Sequence, residues 1–260
     1  MLAITPIPAF KDNYIWLLRS ATVPENNSAI VVDPGDAIAV FNAMKHHNLQ
    51  LSAMLITHHH YDHINGIEAL LERYPDAKVY GPHNSPVTLI TNPLKDQDTF
   101  ELPNNLGICS VLGTPGHTLD HICYHIDNHL FCGDTLFSAG CGRLFEGAPE
   151  QMMASLNKLA SLPTNTYIYP AHEYTLANLR FALDVETDNT AIHERFNEAQ
   201  QLRNTNVPTL PSTLQLELAT NPFLRCKISG IHTRVEQHTQ RKLSSELEVF
   251  TSLRLWKDSY

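Results

Sequence analysis

The sequence predicts an α/β domain followed by a small helical domain. Three observations predict it. Over roughly the first 170 residues, short β-rich runs alternate with helical patterns. After about residue 171 the strand signals fade and helical spacing takes over. The chain is 260 residues long, 43% apolar and 17% charged, which suits one large domain with an appendix and enough apolar residues to bury a sizeable core.

Taken in order, strands are expected over 15–18, 29–32, 53–57, 79–80, 108–112, 122–125, 130–132 and 166–169, each a short apolar run bounded by polar or turn residues. Helices are expected over 37–47, 65–74 and 149–162. The first follows Asp33-Pro34-Gly35-Asp36, a turn sequence that ends the strand at 29–32. In the third, Met152, Met153, Leu156, Leu159 and Ala160 keep helical spacing. Beyond 171, helices are expected over 189–203, 212–219 and 245–257, with Pro208 and Pro211 separating the first two. In the last, Val249, Leu253 and Trp256 fall at i, i+4 and i+7 and form a core face. No internal repeat or low-complexity tract interrupts the chain.

Composition excludes several classes of function. Lys and Arg number 18 against 27 Asp and Glu, a formal charge of −9, which makes a poor generic partner for nucleic acid or anionic lipid. A small anionic substrate would need only a local basic patch. The first ten residues lack the basic segment and apolar run of a signal peptide, and no apolar stretch approaches the ~20 residues of a membrane helix. Five cysteines, an odd number with no C-x-x-C pair, argue against a disulfide framework and for a reducing compartment. They read as small buried apolar residues, and the expected location is cytoplasmic. A monomer is the default expectation.

The chemistry concentrates in Thr57-His58-His59-His60-Tyr61-Asp62-His63, which directly follows the apolar run Ala53-Met54-Leu55-Ile56. A buried strand ending in a polar loop is where α/β proteins place functional groups. Imidazole and carboxylate are ligands for zinc and related divalent ions. His58 and His60, two apart in an extended loop, can point the same way at one ion, and Asp62 and His63 can reach a second. A solvated His-rich loop is the plain alternative. Three later segments count against it: Pro115-Gly116-His117, Gly133-Asp134 and Pro170-Ala171-His172 each put a lone His or Asp just after a predicted strand. Each alone would read as a capping or turn residue; their repetition points to strand ends converging on one site.

T-H-x-H-x-D-H followed by separate His, Asp and His residues at strand ends resembles the metal signature of the metallo-β-lactamase superfamily. That resemblance implies a four-layer αββα sandwich and a pair of divalent ions, zinc first, with iron or manganese also compatible with the ligand types. It also implies roles: His58, His60 and His117 on one ion, Asp62, His63 and His172 on the other, and Asp134 bridging both. Residues 1–170 would form the metallo-β-lactamase-like domain and 171–260 a helical domain.

Superfamily membership does not choose a substrate. Ala139-Gly140-Cys141-Gly142-Arg143-Leu144-Phe145-Glu146-Gly147 and Ala171-His172-Glu173-Tyr174-Thr175 are similar to segments of the glyoxalase II (hydroxyacylglutathione hydrolase) family. So are Asp12-Asn13-Tyr14, Asn221-Pro222-Phe223-Leu224-Arg225 and the terminal trio Arg254, Lys257 and Asp258. The resemblance implies hydrolysis of S-D-lactoylglutathione to glutathione and D-lactate, the second step of methylglyoxal detoxification. It also implies that Arg143, Tyr174, Arg254 and Lys257 bind glutathione. Arginine suits the two carboxylates of that tripeptide, which it can clasp bidentately. Phe145 departs from the Tyr common in the family, and Arg143 from its Lys. Asp62 and Asp134 are the expected catalytic carboxylates, with Asp62 holding and deprotonating the attacking water. His59 and Tyr61, alternating with the ligands, are expected to point away. A persulfide dioxygenase, a β-lactamase or lactonase, and a non-catalytic metal protein are the competing readings.

Overall fold

The structure is a computed structural model that describes residues 2–21 and 27–260. The chain forms two compact units, Met1–Gly113 with Asp120–Gly133, and Thr114–Leu119 with Asp134–Tyr260.

The first unit opens with β1 (Leu2–Ala9), β2 (Asn13–Ser20), β3 (Ser28–Val32), α1 (Ala37–His47), β4 (Gln50–Leu55), α2 (Tyr61–Ile64), α3 (Ile67–Arg73), β5 (Lys78–Pro82) and β6 (Asn92–Leu94). The six strands lie side by side in chain order, antiparallel from β1 to β3 and parallel from β3 to β6. Parallel strands need cover on both faces, and Ala29 to Val32 of β3 are accordingly all buried. On one face, Val40 and Met44 of α1 and Ile67 and Leu70 of α3 share a core with Ile7, Ile15, Leu17, Val31 and Val79. Then follow β7 (Thr99–Glu101), β8 (Ile108–Gly113), β9 (Ile122–Ile126) and β10 (His129–Gly133), antiparallel neighbours in the order β10-β9-β8-β7. They meet the first sheet through Phe100, stacked on Tyr80 at 4.5 Å, and through the Tyr124 hydroxyl, which donates to the Ile56 carbonyl at 2.7 Å. The unit is thus layered helix on sheet on sheet.

α1 matches its expected range. Asp36 caps it by accepting from the N–H groups of Ile38 and Ala39, and Asn48 ends it in the left-handed region at φ 52°. The helix expected over 65–74 is found as α3, starting two residues late because the Gly66 N–H goes to the Pro34 carbonyl at 3.0 Å, which also separates it from the short α2. β1 was not expected, since Pro6 and Pro8 interrupt its pattern; it occupies the sheet edge, where proline is tolerated.

The second unit holds the hairpin β11 (Leu136–Phe137) and β12 (Gly140–Cys141), then α4 (Pro149–Ala160), β13 (Tyr167–Pro170), α5 (Thr175–Val185), α6 (Thr190–Asn204), β14 (Ser212–Thr213), α7 (Leu214–Thr220), α8 (Ser229–Thr239) and α9 (Glu246–Asp258). Helices at 149–162, 189–203 and 245–257 are found within a residue or two, and Val249, Leu253 and Trp256 are buried as their stripe requires. The helix expected over 212–219 begins at Leu214. Ser212 and Thr213 instead pair with Ile168 and Tyr167, and the Thr213 hydroxyl caps the Leu216 N–H at 3.2 Å. α5 and α8 were not expected. α5 had a readable stripe in Leu179, Ala182 and Val185, whereas α8 buries only Ile231 and Val235. Among the described residues no helix is long and apolar enough to cross a membrane. All five cysteines are free and buried, as expected from their number and spacing.

Candidate metal centre

β4 ends at Leu55, and the chain runs through Ile56 and Thr57 into the histidine loop before α2 begins at Tyr61. Thr57, His58 and His63 are buried, while His60 and Asp62 are partly exposed. The rings of His60 and His63 lie 4.7 Å and 4.1 Å from that of His58, so the loop brings three candidate ligands together. Asp62 Oδ2 stands 3.4 Å from His63 Nε2.

Asp33, absent from the expected site, organises this loop. Its Oδ1 accepts the Thr57 N–H at 2.8 Å, and its Oδ2 accepts the Thr57 hydroxyl at 2.8 Å and lies 3.0 Å from His63 Nδ1. A hydroxyl has one proton. With that proton given to Asp33, the 3.0 Å contact between Thr57 Oγ1 and His58 Nδ1 requires the imidazole to donate. His58 therefore carries its proton on Nδ1 and presents a lone pair on Nε2, the state a metal ligand needs, and the negative charge of Asp33 beside His63 Nδ1 favours the same tautomer there. Asn13 supplies the matching support for Asp62, donating from Nδ2 to Oδ2 at 2.9 Å. The signals were present in the Asp33-Pro34-Gly35 turn and in Asp12-Asn13-Tyr14, but each looked local, and both partners lie more than twenty residues away. His59 faces aside as expected, with Nδ1 2.9 Å from buried Asp120, and Tyr61 is exposed. Gly133 admits this packing: at φ 47°, a Cβ there would fall 2.4 Å from Thr57 Oγ1.

The second unit holds the other three candidates. His117, Asp134 and His172 are all buried. His117 Nε2 stands 3.3 Å from Asp134 Oδ2, and His172 Nε2 3.4 Å from Asp134 Oδ1. One carboxylate thus faces two imidazoles with a different oxygen each. His117 Nδ1 donates to the Arg143 carbonyl at 2.7 Å, leaving Nε2 as the ligand nitrogen.

The donor set fits divalent metal. Two N or O ligands at the usual 2.0–2.2 Å from a tetrahedral ion stand about 3.4 Å apart. The three His–Asp separations of 3.3, 3.4 and 3.4 Å match that edge. Imidazole and carboxylate are ligands shared by zinc, iron and manganese.

The expected substrate residues also fall in the second unit. Arg143 is exposed; its Nε and Nη2 donate to the side chain and carbonyl of Asp258, each at 3.2 Å. Arg254 is buried, donating to Asp258 Oδ1 at 2.9 Å and to the Cys141 carbonyl at 2.8 Å. Lys257 is half-buried, its Nζ 5.2 Å from the ring centres of Phe181 and Tyr260. Burial lowers its pKa, as does Arg254, against the opposing pull of Asp258. Two guanidiniums therefore pair with one carboxylate, and the Lys257 ammonium, which donates to the Ala177 carbonyl at 3.4 Å, adds a third positive charge on the same helix as Asp258. Tyr174 stacks flat on His172 at 4.7 Å and 2°. Phe145 is exposed with its ring edge-on to His117 at 5.3 Å. Cys141, two residues from Arg143 in sequence, meets Arg254 instead, at 3.6 Å; burial raises its pKa, only partly countered by that guanidinium, so it is no activated nucleophile.

A family model of the metallo-β-lactamase superfamily matches residues 11–172, and one for the C-terminus of hydroxyacylglutathione hydrolases matches 173–260. A hydroxyacylglutathione hydrolase of Aliivibrio fischeri is 48% identical over 260 residues, covering the whole of both chains. One from Vibrio cholerae is 49% identical with the same coverage. Among solved structures, ETHE1 from Myxococcus xanthus shares the fold at a TM-score of 0.66 with 22% identity, over 99% of each chain. With its histidine–aspartate clusters and matches running end to end, the chain belongs to the metallo-β-lactamase superfamily and, within it, to the hydroxyacylglutathione hydrolase family.

Proposed function

We propose that this chain is a dinuclear metal-dependent thioester hydrolase that cleaves S-2-hydroxyacylglutathione, S-D-lactoylglutathione in particular, to glutathione and the 2-hydroxy acid. In that reading His58, His60 and His117 hold one ion, Asp62, His63 and His172 the other, and Asp134 both. Zinc is the ion we propose. The observation that carries the reading is the Asp134 carboxylate, which offers a separate oxygen to each of two histidines assigned to different ions.

Bound there, the ions would supply Lewis acidity, acidifying a water nucleophile and offsetting the charge that builds on the thioester oxygen. The chain does the rest. Asp62, oriented by Asn13, takes the proton of the attacking water. Asp33 keeps His58 and His63 in the ligand tautomer. The departing glutathione thiolate, with a parent pKa of about 8.5, needs no general acid. Arg143, Tyr174, Arg254 and Lys257, within a helical domain spanning 171–260 and the loop before it, grip glutathione. Arg143, Tyr174 and Lys257 present accessible atoms, and Arg254 holds Asp258 and β12 from below. Five free, buried thiols support a cytoplasmic setting.

Metal analysis of the purified protein, paired with S-D-lactoylglutathione hydrolysis followed by loss of the thioester, tests this. The expected result is about two ions per chain and turnover that disappears on chelation and returns with zinc. Full turnover by metal-free protein would refute it.

A further inference from the structure

The hairpin of β11 and β12 offers no ligand atom, yet its ends abut the candidate ligands of its unit. Asp134 lies two residues before β11. After β12, Gly142 passes so close that a Cβ on it would lie 1.9 Å from the Asp134 carbonyl oxygen and 3.1 Å from His117 Nδ1. The next residue, Arg143, accepts the His117 Nδ1 hydrogen. Phe137 turns its ring edge toward His172 at 5.9 Å and Tyr174 at 5.2 Å. Displacing this hairpin would displace His117, Asp134 and His172 together.

Two residues per arm cannot stabilise a hairpin alone. It is held from outside by buried polar side chains. Glu217 of α7 is fully buried and accepts the Ala139 N–H at 2.7 Å. Asn221, also fully buried, donates from Nδ2 to the carbonyls of Phe137 at 3.1 Å and Gly140 at 2.9 Å, with Glu217 Oε2 3.3 Å away. Its Oδ1 meanwhile caps the Phe223 N–H at 3.1 Å. Asn178 of α5 donates to the Ser138 carbonyl at 3.1 Å, and Arg254 to that of Cys141. Four carbonyls of the segment 137–141 are thus claimed by side chains from other elements. Burial pushes the Glu217 carboxyl pKa up, opposed by the hydrogen bonds it accepts. A buried carboxylate is costly, and an apolar filler would stabilise as well or better. Such a filler could not satisfy the backbone groups of a strained two-residue turn whose Ala139 sits at φ 54°.

We propose that Glu217, Asn221 and Asn178 are positioning residues for the metal centre, setting the spacing of Asp134 and His117 through the β11–β12 hairpin. The proposal rests on the metal reading given above. It gives a physical task to Asn221-Pro222-Phe223, a segment with no ligand or basic group of its own.

The test uses Asn221→Ser, which keeps an oxygen to cap Phe223 but cannot reach the two carbonyls, and Glu217→Leu, which fills the site with an apolar side chain and removes the oxygen that accepts the Ala139 N–H. Zinc affinity is measured by competition with a chromophoric chelator, and the visible spectrum of the cobalt(II)-loaded protein reports ligand geometry. Zinc binding weakened about 10-fold or more, with an altered cobalt spectrum and native far-ultraviolet dichroism, is the expected result. If Asn221→Ser does not fold, Asn178→Ala, which loses one bond to the Ser138 carbonyl, is judged by the same measurements. Variants that match native zinc affinity and cobalt spectrum overturn the inference while leaving the metal reading intact. A native protein that binds no zinc overturns both.

Discussion

Replacing Asp33 by Asn changes one atom and opposes the tautomers of two proposed ligands. Asn tolerates the left-handed backbone that Asp33 adopts at φ 53°, so strain does not confound the result. Its amide oxygen can still accept the Thr57 N–H. Its NH2, however, faces His63 Nδ1, 3.0 Å from the oxygen it replaces, and two donors cannot share that contact. His63 is driven to protonate Nε2 and lose its ligand lone pair. The Thr57 hydroxyl loses its anionic acceptor, which loosens His58 as well. Outer-sphere partners of this kind typically change metal affinity 10–100-fold, or about 1.4–2.8 kcal/mol. Losing one charged, buried hydrogen bond costs the metal-free fold about 1.5–3 kcal/mol. Zinc competition titrations and thermal unfolding of metal-free protein measure the two effects separately. Native zinc affinity in a folded Asp33→Asn protein would refute the tautomer argument.

Three further outcomes follow from the geometry. Arg143→Ala combined with Lys257→Ala removes the two most accessible of the proposed glutathione-binding cations, and KM for S-D-lactoylglutathione should rise about 10-fold or more while kcat changes little; unchanged steady-state constants would remove these residues from the binding site. His125 and His129, flanking the β9–β10 turn, have pKa values lowered mainly by burial, which outweighs the pull of Asp127. The unfolded chain therefore binds more protons than the folded one as pH falls through the ordinary histidine range, and stability should drop there. Changing both to Gln should flatten the dependence of Tm on pH between about 7 and 5, and an unaltered slope would contradict the assignment. Finally, with every cysteine buried, native protein should react with Ellman's reagent only as fast as it unfolds; rapid labelling of any thiol in folded protein would show the packing to be otherwise.

Local sequence alone settled a good part of this protein. His58, His60, Asp62, His63, His117, Asp134 and His172 were readable as candidate ligands from their type and their place just after apolar runs, and α1 was readable from Asp36 to Asn48 because its caps are local. What tertiary structure decided lies where partners are far apart in the chain. Whether Pro6 and Pro8 could belong to a strand depended on that strand being an edge. The helix expected at 65–74 starts only at Ile67 because the Gly66 N–H found the carbonyl of Pro34. Asn13 and Asp33 became supports for Asp62 and His63 only through contacts spanning 49 and 30 residues. A ligand's chemistry belongs to its side chain and can be read one residue at a time, whereas its orientation and protonation belong to the groups that fold against it.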